Sequence, residues 1–239
     1  GGLNVGDEYD RGPVDEAGVR GWRDTHVRVR GPVVRDLGAV FLESWYRAGG
    51  AELPWHALLE ADPGRPGNVR CGVLPDGPVY RRRTMRDLLV ASLDEARETA
   101  LLTSGYFWPD RQLLNALERA AERGVRVEMV LAGDTTDHPI LRRGARAMLG
   151  RLLRRGVVVH EYTAALLHAK SAVFDGRLGI VGSSNLDRQS LEHSYEVNLV
   201  SVGEGLAAEL DRLFERDRER SVGLTLEDLA RRRWWTRSV

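Results

Sequence analysis

Apolar and polar positions change rhythm several times along this chain, and each change marks an element. From residue 69 onward the rhythm is regular. Apolar runs at 69–74, 99–103, 125–131, 157–162, 178–181 and 196–202 have the length and composition of buried strands. Between them, apolar residues recur at helical spacing and predict helices over 84–97, 110–123, 140–155 and 205–220. The ends carry local signals. Thr84 and Asp110 read as N-caps, Gly124 and Gly156 as stops, and Thr225 with Asp228 as a capping box for a short last helix. Strands alternating with helices imply an α/β fold, a mostly β sheet flanked by helices on both faces in an α/β/α sandwich.

Before residue 69 the pattern is looser. His26-Val27-Arg28-Val29-Arg30 alternates and predicts a strand with one polar face. Gly31-Pro32 then opens an amphipathic helix to about residue 46, with Pro32 near its first turn. Residues 48–68 are rich in Gly and Pro and read as a connection between two units. The two ends of the chain also resemble each other. Gly1-Gly2-Leu3-Asn4 parallels Gly182-Ser183-Ser184-Asn185, and Arg23-Asp24 before a strand parallels Tyr195-Glu196 before a strand. After Gly31 a helix reaches Phe41-Leu42-Glu43, and after Gly203 a helix reaches Leu213-Phe214-Glu215 at matching distance. A duplicated fold accounts for this simply. Residues 1–68 would be the C-terminal remnant of a first lobe with its linker, and 69–239 a complete second lobe. Since the chain opens Gly1-Gly2 without an initiator methionine, a fragment or processed product is expected.

Composition narrows the function. Hydrophobic content of 42% and charged content of 29% fit a globular protein with a substantial core. The 35 basic and 35 acidic residues cancel, which counts against a nucleic-acid partner held by bulk electrostatics. A lone cysteine, Cys71, excludes an internal disulfide framework. No apolar run is long enough for a spanning helix, and no signal-peptide pattern is visible. Among the 35 basic residues a single one, Lys170, is lysine. A compact ammonium fits a crowded phosphate pocket that a planar guanidinium does not.

Lys170 lies in the stretch 167–196, and between His168 and Asn185 the polar residues stand against a mostly small or apolar background. His168, Lys170 and Asp175 are spaced H-x-K-x-x-x-x-D, and Gly182, Ser183 and Asn185 follow as G-S-x-N. Alternation along a strand puts His168 and Lys170 on one face, whereas Asp175, the third catalytic candidate of the motif, falls in the turn before Gly176. Asn185 can reach that face after the tight Gly182-Ser183 turn. An imidazole, an ammonium and a carboxamide converging on a point suit a phosphoryl group. Lys170 and Asn185 would stabilise its equatorial oxygens, and His168 would act as nucleophile or acid–base group. Such a histidine needs an acceptor on its other ring nitrogen, for which Glu196 is the candidate, with Asp24 its counterpart in the repeat. No metal-ligand spacing occurs, so catalysis without metal or other cofactor is expected.

The H-x-K-x-x-x-x-D spacing is the HKD motif of the phospholipase D superfamily. The chain as a whole resembles the bacterial cardiolipin synthases within it, through GGLNVGDEY, WRDTH, GPVVRDLGAVFLESW, SGYFWPD, the DHP loop, LHAKSAVFDG, VGSSNLDRQSL and YEVNL. That resemblance implies transfer of a phosphatidyl group to the primary hydroxyl of phosphatidylglycerol, one histidine from each lobe, and a phosphohistidine intermediate. It makes the first-lobe histidine the nucleophile and leaves His168 as acid/base. It also implies a phospholipid substrate, a bacterial cytoplasmic-membrane location through upstream segments or peripheral contact, and a first lobe N-terminal to Gly1 as partner. Asn4 and Asp24 would be that lobe's remaining substrate-binding half-site, alongside Gly182 and Ser183. Two departures stand out: His193-Ser194 replaces an asparagine-containing pair, and Ser171 replaces threonine.

Other features have competing readings. Tyr106-Phe107-Trp108 suits either a lipid entrance or a core cluster. The basic, aromatic tail 231–235 suits an anionic membrane surface or a solvated terminus. His138 shapes a loop or lines the site, and Arg81-Arg82-Arg83 is a solvated run or a lipid contact. The alternative activities are hydrolysis of phospholipid or, less favoured by the neutral charge, of nucleic acid. A non-catalytic module keeping one half-site is the alternative outside enzymes.

Overall fold

The computed structural model describes residues 21–54, 64, 66–78, 83–134 and 139–234, the side chains of 139–143 and 232–234 excepted. Asn4, the GGLNVGDEY tract, His138, Arg81 and Arg82 and the end of the tail lie outside the described residues.

An eight-stranded sheet forms the middle layer. Its strands are β2 (Arg70–Asp76), β3 (Thr99–Ser104), β5 (Arg126–Ala132), β6 (Val158–Tyr162), β8 (Lys170–Phe174), β9 (Leu178–Gly182), β11 (Glu196–Val202) and β12 (Ser221–Gly223). Their spatial order is β12-β6-β5-β3-β8-β9-β11-β2. The β3–β5–β6 ladder is parallel, and the pairs from β3 through β8, β9 and β11 to β2 are antiparallel. Two short parallel pairs lie outside the sheet. The strand β1 (Trp22–Arg23) pairs with β7 (Leu166–Leu167), and β4 (Phe107–Trp108) with β10 (Leu186–Asp187).

Period-two alternation builds both faces. In β3, Ala100 and Leu102 enter one apolar cluster, while Leu101 enters the other. The first cluster takes in the helices α2 (Thr84–Glu95), α3 (Arg111–Glu122) and α4 (Pro139–Arg154), with Leu229 of α6 (Leu226–Trp234) packed against it. The second is covered by α5 (Glu204–Glu219) through Ala207, Leu210 and Phe214, and by Val33 of α1 (Val33–Arg47). The expected α/β/α sandwich is present.

Local signals account for most boundaries. Asp110 caps α3 by accepting from the Leu113 N–H at 2.9 Å. The capping box forms as expected, with Thr225 N–H donating to Asp228 at 3.0 Å and Asp228 N–H to Thr225 Oγ1 at 3.1 Å. Thr84, by contrast, is the first helical residue of α2 and not its cap. Buried Asp76 caps that helix from the end of β2, accepting from Met85 N–H at 2.9 Å.

Residues 26–30 do not form the expected strand. They keep its alternation, with His26, Arg28 and Arg30 exposed and Val27 and Val29 packed on the second cluster. Their backbone has no ladder partner among the described residues, and alternation without a neighbour makes no sheet. The paired strand lies earlier, at Trp22–Arg23.

Candidate active site

One end of the sheet gathers the polar residues. Lys170 is paired with Ser104, Gly182 with Asn198, and Glu196 with Asp76, so the antiparallel ladders bring all of them to the same edge. Ligand sites in α/β sheets form at such strand ends. Lys170 is 4% exposed, Asn185 6% and Glu196 9%.

His168 sits just before β8, in the two residues between β7 and β8, and not within a continuous strand. Its main-chain N–H donates to Arg23 O at 2.8 Å, which continues the β1–β7 pairing. The imidazole lies against Trp22, with ring centroids 4.9 Å apart, and Tyr106 stands edge-on at 6.4 Å. Its Nδ1 meets Asp24 Oδ2 at 2.8 Å, where the Asp24 carboxylate is fully shielded from solvent. The acceptor at Nδ1 is therefore Asp24, and not Glu196 as the residue pattern suggested. An acceptor there makes Nδ1 the N–H end and leaves Nε2 to exchange a proton with a substrate. Asp24 also accepts from Thr25 N–H at 2.7 Å through its other oxygen.

Lys170 Nζ donates to the His168 carbonyl, which keeps the ammonium beside the imidazole. Asn185 uses its carboxamide oxygen within the fold, accepting from Tyr106 N–H at 3.3 Å and Ser104 Oγ at 3.4 Å, so its NH2 is the donor end. Gly105 makes this convergence possible. A Cβ there would lie 2.8 Å from Leu167 O and 3.5 Å from Asn185 Oδ1.

Glu196 lies among other polar residues at the same end. Burial pushes its carboxyl above the ordinary value. Hydroxyls of Ser183 and Ser190 pull it back only partly, Asp187 adds to the rise, and Lys170 opposes it. Ser183 closes the turn on β11, donating its N–H to Val197 O and accepting from Val197 N–H at 3.0 Å. Gly182 is a close-packing residue, since a Cβ would stand 2.2 Å from Asn198 Oδ1.

Asp175 is placed elsewhere. It lies beyond the far end of β8, about 17 Å from Lys170 at strand rise. Its carboxylate binds the N–H groups of Arg97, Glu98 and Thr99 at 2.8–3.3 Å, and its φ is +49°. Burial would raise its pKa, but the Thr99, Glu98 and Arg97 N–H groups outweigh that and lower it. The third residue of the motif ties two turns together and does not face the imidazole.

The aromatic run divides its labour. Tyr106 lines the imidazole, Phe107 joins the first apolar cluster, and Trp108 packs on Gly144 of α4. Trp22, Ser104, Gly105 and Ser190 were not singled out in the sequence, and only their contacts reveal them. Arg83, Arg188 and His193 surround the buried Glu192 carboxylate at 3.2, 3.5 and 3.8 Å, which places His193 outside the His168 cluster. Among the described residues no group of three or more His, Cys, Asp or Glu side chains could hold a metal ion, and no helix is long and apolar enough to cross a membrane.

A sandwich with His168 beside buried Lys170 and Asn185 at its strand ends fits a phospholipase D fold, and solved structures agree. Phosphatidylserine synthase of Haemophilus influenzae Rd KW20 superposes with a TM-score of 0.58 over 71% of this chain and 45% of that one, at 14% identity. The phospholipase D family member Nuc of Salmonella typhimurium gives 0.50 over 66% and 97%, at 20% identity. The family profile described as "Cardiolipin synthase, PLD-like domain" matches residues 89–218, and the chain belongs to that family. Cardiolipin synthase A of Pseudomonas fluorescens SBW25 is 36% identical over 219 residues, 91% of this chain and 44% of that protein. The chain thus spans about half the length of the curated relatives it matches.

Proposed function

We propose that this chain is the second catalytic half of a two-lobed phosphatidyltransferase that makes cardiolipin from phosphatidylglycerol at a bacterial membrane. Residues 1–68 end a first lobe and link it to the second lobe, 69–239. The observation that carries this reading is the Asp24–His168 contact at 2.8 Å, its carboxylate shielded from solvent, beside buried Lys170 and Asn185. It supplies one oriented proton carrier and two oxyanion donors, which is half of what phosphatidyl transfer needs.

In the first step a first-lobe histidine attacks phosphorus of the donor lipid. The P–O bond to the headgroup breaks, and the leaving oxygen takes a proton from His168 Nε2. In the second step the primary hydroxyl of phosphatidylglycerol gives its proton to His168 Nε2 and attacks phosphorus. The P–N bond breaks, and the first-lobe histidine is regenerated. With phosphatidylglycerol as donor the products are cardiolipin and glycerol. Lys170 and the Asn185 NH2 stabilise the equatorial oxygens throughout. Asp24 holds the His168 tautomer. Glu196, its counterpart in the repeat, does the same for the first-lobe histidine, and Asn4 repeats the role of Asn185. The equal numbers of acidic and basic residues support a lipid over a polynucleotide substrate.

The full-length protein, given phosphatidylglycerol in mixed micelles, should release cardiolipin and glycerol in equal amounts. Phosphatidic acid as the sole product would replace this reading with hydrolysis. In the same protein His168→Ala should lower turnover about 100- to 10,000-fold. Unchanged turnover would remove His168 from the acid/base role.

A further inference from the structure

Asp24 can orient His168 only if something orients Asp24. Asp24 directly follows β1, and that strand is two residues long, too short to fix a neighbouring side chain by its ladder alone. The neighbouring Arg23 supplies the missing rigidity. Its Nε and Nη2 grip both oxygens of Asp217 on α5, each at 2.8 Å, in a fork-on-fork pair. Its Nη1 turns the other way, donating to the carbonyl of Asp24 and to Thr25 Oγ1 at 3.0 Å. Both partners are well shielded, with side chains 17% and 6% exposed. Thr25 is buried too.

We infer that Arg23 is a positioning residue for the acid/base step, a clamp that uses α5 as its anchor to hold Asp24 against His168 Nδ1. Three features distinguish this from a simple buried ion pair. One guanidinium serves both the anchor and the main chain of the residue it positions. The carbonyl of Arg23 accepts the His168 N–H at 2.8 Å, so the same residue locates both members of the pair. The carboxylate it positions binds through both oxygens, one to His168 and one to Thr25 N–H, leaving little freedom to compensate if β1 shifts. Lysine cannot replace this fork, because a single ammonium cannot span Asp217 and the Asp24 carbonyl in the same geometry.

The inference concerns the orientation of His168, and it rests on the proposed catalytic role only for its kinetic consequence. The test reads the two separately. In the 239-residue chain, the His168 Nδ1–H resonance in a nitrogen–proton correlation spectrum reports the Asp24 contact directly. Arg23→Lys should keep the fold, by circular dichroism, and lose that resonance to solvent exchange. Thr25→Val, which removes only a hydroxyl, should weaken the resonance and keep the fold, so the inference stays testable if Arg23→Lys does not fold. In the full-length enzyme the Arg23→Lys change should lower kcat roughly 10- to 100-fold with KM little altered. A folded Arg23→Lys chain with its Nδ1–H resonance intact overturns the clamp. So does a Thr25→Val chain with full resonance together with a full-length Thr25→Val enzyme with full turnover. Loss of the resonance in a protein that makes phosphatidic acid would leave the clamp standing and overturn only the transferase reading.

Discussion

At the scale of single residues, two carboxylates close to the motif have opposite titration behaviour, and each is open to measurement. Asp175 is held below its ordinary pKa, so its contribution to stability is present above that value and is lost as pH falls through the lowered one. Replacing it with Asn should cost about 1–3 kcal/mol at neutral pH, because three N–H groups lose a charged acceptor. In urea titrations the difference from wild type should shrink below about pH 4. Glu196 is pushed up by burial, so the folded state favours its protonated form more than the unfolded state does. Its contribution is largest below the ordinary carboxyl value and declines as pH rises through the raised one. Glu196→Gln should therefore gain thermal stability relative to wild type between pH 4 and pH 8, while turnover of the full-length enzyme falls. A difference that is constant with pH would place the cost of Glu196 in something other than its charge.

At the scale of elements, local chemistry and long-range pairing separate what was readable from what was not. The helix capped by Asp110 was legible because its cap lies three residues from the N–H that it accepts. Asp110 also pairs with Arg86 of α2 at 3.1 Å, so Asp110→Ala should cost about 1–2 kcal/mol. That change should appear as a lower urea midpoint with unchanged slope. The cap of α2 was misread because its acceptor, Asp76, is on another element. The segment 26–30 was misread for a related reason. Its alternation is real, but a strand also needs a neighbour, and neighbours are not written locally. The motif itself was largely legible, since spacing and the lone lysine fix His168, Lys170 and Asn185. The Nδ1 acceptor was not, because Asp24 and Glu196 look equivalent in a repeated sequence and only the folded chain chooses between them.

At the scale of the whole molecule, that choice would make the proposed two-lobed enzyme a crossed one. On that proposal Asp24 serves the histidine of the second lobe, and Glu196 would serve a histidine of the first. The 239-residue chain by itself should consequently turn over no phosphatidylglycerol, and supplying the first lobe should restore cardiolipin formation. Turnover by the isolated chain, with a dimer seen in gel filtration, would mean instead that two copies pair their His168 residues.

The distance along the chain between Asp24 and His168, 144 residues, has a meaning for biosynthesis. A ribosome releases the carboxylate long before it makes the imidazole. Until residue 168 is made, Asp24 has no imidazole to orient. The Asp24–His168 pair can form only after that long stretch has been made, when β7 pairs with β1.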